Sequence, residues 1–177
     1  ELGRADEALA IYSDAIAAAP SAELYASRAL LYYREGEFAD ALEDLDAAIA
    51  QGGDSPALYF YRATTHTQLD RPASAQRAAE DYYAYVEAMQ TSSTAGGRLT
   101  AAEPELVQMT EGAVFTFTLS GKADDIWTIR AEARPGDAVD PLLIVLDPDG
   151  NPIAADDDSG ARAAGGLDAQ ITRLTLP

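Results

Sequence analysis

Asp156, Asp157 and Asp158 stand side by side in the run DPLLIVLDPDGNPIAADDDSG, residues 140–160. Adjacent carboxylates repel one another, so such a run is either spread into solvent or neutralised by a cation. Hard oxygen donors suit calcium, and Asp124, Asp125 and Asp140 are further carboxylates of the same kind. Two readings stay open: a solvated loop, or a calcium site built from Asp140, Asp156, Asp157 and Asp158. Paired carboxylates also serve glycoside hydrolysis, but nothing in the sequence places an aromatic-lined cleft beside these. His66 is the single histidine, and there is no cysteine. Most nucleophilic hydrolytic constellations therefore cannot be assembled. No G-x-S-x-G, H-E-x-x-H or P-loop occurs. The chain reads as non-enzymatic, with no catalytic residue and with Ca2+ as the one cofactor to weigh.

Just upstream, Asp147, Asp149, Asn151 and Asp158 have the spacing of positions 1, 3, 5 and 12 of an EF-hand calcium loop. Pro152 stands where that loop needs glycine, Asp158 where it has glutamate, and helical flanks are missing. DPDG is instead a good type I turn, with Pro148 second and Gly150 fourth. A hairpin turn is the expected structure here.

The acidic excess narrows the partners. Thirty acidic and 12 basic residues give a formal net charge of -18. The excess is shared between the halves, with 16 acids and 6 bases in residues 1–90 and 14 and 6 in residues 91–177. Such a field disfavours nucleic acid and anionic membranes. No apolar stretch approaches the roughly 18–20 residues that span a bilayer. The chain opens with ELGRADEALAIY, already inside a helical pattern, and is expected to be a fragment that begins within a longer array.

Composition changes near residue 90. All nine tyrosines precede it, and the β-branched runs follow it. TSSTAGGRLTAAEP, residues 91–104, is small and polar and reads as a linker. Before it the sequence repeats. Gly3, Ala8, Leu9, Ala15 and Ile16 recur 33 residues on as Gly36, Ala41, Leu42, Ala48 and Ile49. Leu24, Tyr25, Arg28 and Ala29 recur 34 residues on as Leu58, Tyr59, Arg62 and Ala63. A period of this length predicts stacked pairs of amphipathic helices, since one pair alone cannot bury its apolar face. Arg28 is placed to bridge to Asp44 within its pair. His66 falls on a core position and is read as packing.

This pattern resembles the tetratricopeptide repeat. In the unit AELYASRALLYYREGEFADALEDLDAAIAQGGDS, residues 22–55, Tyr25, Ala29, Tyr32, Gly36, Phe38, Ala41, Leu45 and Ala48 fall on the family's signature positions. Residues 1–21 match the second helix of a preceding repeat. Residues 56–90 match a degenerate one, with Asp70, Pro72 and Tyr82 off pattern. The resemblance implies a groove lined by Glu23, Ala26, Leu30, Tyr33 and Arg34 in one repeat and by Ala57, Phe60, Thr64, Thr67 and Gln68 in the next. The basic clamp that some members use on C-terminal carboxylates is missing: Ala26, Leu30 and Phe60 occupy its places. Tyr82, Tyr83 and Tyr85 are expected to pack on the linker, on the rear segment or on another subunit.

Residues 105–177 follow period-2 patterns. AVFTFTLS, DIWTIRAEA, NPIAADDD and AQITRLTLP read as strands, and PLLIVLD as a strand buried on both faces. The order of Asp125 with Trp127, Asp140-Pro141, Gly150 and Asp156-Asp157 resembles the bacterial pre-peptidase C-terminal domain, a jelly-roll-like β-sandwich found on exported proteins. Members of that family continue past the final LP with a further hairpin.

The fold class expected is thus α plus β: a helical solenoid over 1–90, a linker over 91–104 and an all-β sandwich over 105–177. The resemblances imply an extracytoplasmic interaction or assembly module, binding a protein partner or further copies of itself, head to tail into a filament if the rotation does not close. Two other functions stay in view: the accessory region of a larger secreted protease, and a calcium-dependent adhesive or carbohydrate-binding module.

Overall fold

The computed structural model describes residues 2–69, 73–89, 92–100, 113–132, 139–157 and 168–176. The chain forms an α plus β structure in two compact units, Glu1–Ala88 and Met89–Pro177.

Among the described residues the first unit holds five helices: α1 (Leu2–Ala18), α2 (Ala22–Glu35), α3 (Phe38–Ala50), α4 (Pro56–Leu69) and α5 (Ser74–Ala88). Each packs on the next in sequence, and α2 also meets α4. The helices approach closely because their facing positions are alanines. Ala29, Ala41, Ala48, Ala63, Ala78 and Ala79 are all buried, and a methyl group leaves little to separate two backbones. Around Ala29 and Ala48 gather Leu45 and Leu58, with Tyr25, Ala26, Ile49 and Tyr61 packed against them.

Punctuation between the helices follows from the sequence. Ser21 caps α2 by accepting a hydrogen bond from the Leu24 amide. Gly36 ends α2 in the left-handed region at φ 83°, where its amide reaches the Tyr32 and Tyr33 carbonyls. Gly53 is needed for a different reason: a Cβ there would lie 2.7 Å from Leu58 Cδ1 and 2.9 Å from the Ala48 carbonyl oxygen. Residues 70–72, including Asp70 and Pro72, lie outside the described residues.

The second unit contains three two-stranded pairings among the described residues. Strands β1 (Ser93–Leu99) and β2 (Val114–Leu119) run parallel, with a register shift at Ala95/Gly97. Strands β3 (Ile126–Ala131) and β6 (Ala169–Thr175) run antiparallel. So do β4 (Leu143–Leu146) and β5 (Pro152–Asp156), and β6 lies beside both of these. Ala169, Ile171 and Leu174 of β6 are buried in this unit, as is Pro141 ahead of β4.

Two expectations are corrected. Residues 91–104 are not wholly a linker, because Ser93–Leu99 pairs with β2. Small polar composition signals weak intrinsic preference, and a strand partner 20 to 21 residues on overrides it. The apolar run PLLIVLD is not buried on both faces either. Leu143, Ile144 and Val145 are half-buried and Leu146 is 40% exposed. A continuous apolar run cannot report how many layers cover it.

Candidate binding groove

A groove of about 260 Å³ opens between the N-terminal halves of α2 and α4. Its walls are Ala22, Glu23, Ala26 and Leu30 from α2, and Ala57, Leu58 and Tyr61 from α4. Its end is the turn Gly53, Asp54 and Ser55. The floor is aliphatic with one phenol ring, and the charged groups are both carboxylates. Hydrogen bonds from its own backbone amide and from the Ser21 hydroxyl hold the Glu23 carboxyl below its ordinary value, so it is ionised at neutral pH.

Four expected positions therefore meet here: Glu23, Ala26, Leu30 and Ala57. The other six do not line the groove. Tyr33 turns its ring edge-on to Phe38 and Tyr61, with centroids 5.5 and 5.9 Å away. Phe60 packs against Tyr61, Tyr82 and Tyr85 at 5.9, 5.8 and 5.3 Å. This corrects the expectation for two of the tyrosines, which pack on the helix before their own. Tyr82 is buried and Tyr85 half-buried within the helical unit, and both reach Phe60 across α4 and α5. Thr64 and Thr67 donate their hydroxyls to the Tyr61 and Thr64 carbonyls of their own helix. Arg34 and Gln68 are exposed beyond the groove. The turn residues Gly53, Asp54 and Ser55 were missed by the repeat positions, because those count helix faces and ignore what a tight connection brings alongside.

A ladder of charge links the helices of this unit. Arg28 Nε and Nη2 donate to Asp44 Oδ2 and Oδ1, each at 2.7 Å, and Nη1 donates to Ser13 Oγ at 2.9 Å. One repeat on, Arg62 Nε and Nη2 donate to Asp81 at 2.8 and 2.7 Å, and Nη1 donates to Asp46 Oδ1 at 2.8 Å. Each arginine thus forks onto a buried aspartate of the following helix while touching the preceding one. Asp44 and Asp81 are 4% and 5% exposed. Both guanidinium groups are held above their ordinary pKa, chiefly by these hydrogen bonds. The bridge between Arg28 and Asp44 was legible in the repeat; the second fork and its exposed partner Asp46 were not.

His66 is buried, with Asp81, Arg77, Arg62 and Asp46 around it, and burial pushes its pKa down. It belongs to the interior of the helical unit and does not line the groove.

The carboxylates of the second unit are largely engaged with the chain itself. Asp147 Oδ1 accepts from the Asp149 and Asn151 amides at 2.9 and 2.8 Å, and Oδ2 accepts from the Asn151 side chain at 2.9 Å. The Gly150 amide closes the DPDG turn onto the Asp147 carbonyl at 3.0 Å. This is a hairpin between β4 and β5, and its hydrogen bonds hold the Asp147 carboxyl below its ordinary value. Asp156 Oδ2 accepts from the Gln170 amide at 2.7 Å and so ties β5 to β6. Asp140 is exposed and Asp157 half-buried, while Asp158 lies outside the described residues. Among the described residues no group of three His, Cys, Asp or Glu side chains gathers as a metal site. No helix among them is long and apolar enough to cross a membrane.

No protein-family model matches the chain, and no curated protein matches it.

Proposed function

We propose that the first unit is a short tetratricopeptide-type array whose groove between α2 and α4 takes a segment of a protein partner. The observation that carries this reading is the groove itself. Two non-adjacent helices, α2 and α4, one repeat apart, turn small and apolar side chains to a shared cleft. Repeat arrays bind along such surfaces because stacking leaves one face of each helix pair unfilled. The cleft is smaller than the ~300–1,000 Å³ of pockets that bury drug-sized ligands, which suits one or two anchoring side chains of a peptide.

The second unit we read as a pre-peptidase-like β-domain, on the order of its strands and of Asp125, Trp127, Asp140, Pro141, Gly150, Asp156 and Asp157. On that reading the protein works outside the cytoplasm, as a non-catalytic interaction or assembly module. The partner is another protein or a further copy of the chain.

The test is selection from a random displayed-peptide library on the whole chain, repeated with Ala57→Arg. Ala57 is exposed at the mouth of the groove, so arginine there fills the cleft without entering the core. Peptides enriched by the original chain and lost on the variant support the reading. Failure to enrich any peptide, or retention on the variant, refutes it. Light scattering across protein concentrations separates self-assembly from binding to other proteins.

A further inference from the structure

Resting on the reading of this groove as a peptide site, we infer that it selects a partner segment presenting an aliphatic side chain next to a lysine or arginine. The apolar half of that preference comes from Ala22, Ala26, Leu30, Leu58 and Tyr61. The cationic half comes from how the charges are laid out.

The groove lies at the N-terminal ends of two helices, α2 and α4. Such ends ordinarily favour an anion, because amide N–H groups and the helix dipole converge there. Here the chain supplies the negative charge itself. Glu23 sits in the first turn of α2, its carboxylate bonded to its own amide and to Ser21. Asp54 stands two residues before α4 begins at Pro56. The N-termini are thereby countered, and the two carboxylates are left at the rim of an apolar cleft.

Among the described residues no lysine or arginine lines the cleft to balance them. Arg28 is committed to Asp44 and Ser13. Arg34 follows Glu23 by 11 residues along α2, about 16 Å at the helical rise. That exceeds the ~8–10 Å over which exposed charges act at physiological salt. A partner carboxylate in the groove would be repelled by Glu23 and Asp54, whereas a partner cation would be attracted by both. The net charge of -18 attracts such a segment from a distance as well.

The experiment continues the peptide selection with Glu23→Gln/Asp54→Asn, which keeps side-chain shape and removes both charges. Peptides enriched by the original chain should pair an aliphatic residue with Lys or Arg. Their affinity, read by fluorescence anisotropy, should fall roughly three- to ten-fold on the double variant, as exposed ion pairs allow. It should also weaken as salt is raised from ~50 to ~500 mM. Peptides that are lost on Ala57→Arg but carry no cation, or bind the double variant equally well, would overturn the charge preference and leave the groove standing. Peptides indifferent to Ala57→Arg, or none at all, would overturn both. Circular dichroism melting of each variant confirms that the helices remain folded.

Discussion

Asp81→Asn isolates one rung of the charge ladder. The amide keeps the shape of the carboxylate, so packing is little changed, but the fork loses its charge. One of its two acceptors also becomes an N–H donor facing Arg62. Removing one member of a buried pair costs ~3–5 kcal/mol, mostly because the other is left uncompensated. Arg62 is 21% exposed and keeps its bond to Asp46. The loss should therefore sit at the lower end, about 3 kcal/mol. Asp46→Asn offers the contrast. It touches the same guanidinium at a similar distance, but the Asp46 side chain is 57% exposed, so the cost is ~0–1 kcal/mol. Replacing the pair together, Arg62→Met with Asp81→Leu, should come within about 2 kcal/mol of the original chain, since no charge is then stranded. Urea unfolding followed by far-ultraviolet circular dichroism is the assay, because all five described helices lie in the first unit. A loss of about 3 kcal/mol is a large part of the ~5–15 kcal/mol typical of a domain, so the midpoints would separate clearly. Equal losses for Asp81→Asn and Asp46→Asn would refute the reasoning, as would a double variant no more stable than the single one.

Four further outcomes are expected. Gly53→Val should destabilise the helical unit by ~1–3 kcal/mol, because the added carbons meet the Ala48 carbonyl as well as the more yielding Leu58; urea midpoints measure it. Gly36→Ala, forced to hold φ 83°, should cost roughly 1–2 kcal/mol in the same assay. His66 has a folded pKa below its ordinary 6.5, so the unfolded chain binds more protons as pH falls below that value. Its contribution is present above pH 6.5 and is lost as pH falls through the folded pKa. Midpoints compared between about pH 7.5 and 5.5 should therefore fall for the original chain and fall less for His66→Tyr, which carries the residue that Tyr32 provides one repeat earlier. Asp156→Ala removes the hydrogen bond that the Gln170 amide donates from β6 to β5; it should lower the urea midpoint read by Trp127 fluorescence, at a cost of ~1–3 kcal/mol.

Much of the helical unit was determined by the sequence alone, because its information is local and repeated. The 33- and 34-residue spacings put alanines where helices touch, Gly36 where α2 must end, and Arg28 opposite Asp44. The DPDG turn was equally readable, since Asp147, Pro148 and Gly150 each have a conformational reason to be there. What needed tertiary structure was the identity of neighbours distant in sequence. Repeat positions assigned Tyr33 and Phe60 to the groove, but α3 and α5 supply ring partners that draw them into packing. The same positions overlooked Gly53, Asp54 and Ser55, which enter the groove only because a tight turn brings α4 against α2. Ser93–Leu99 became a strand through its pairing with β2, against its own weak preference. Helical periodicity and turn chemistry act over a few residues and can be read in one dimension. Which face is covered, and by what, is decided by contacts that only the folded chain makes.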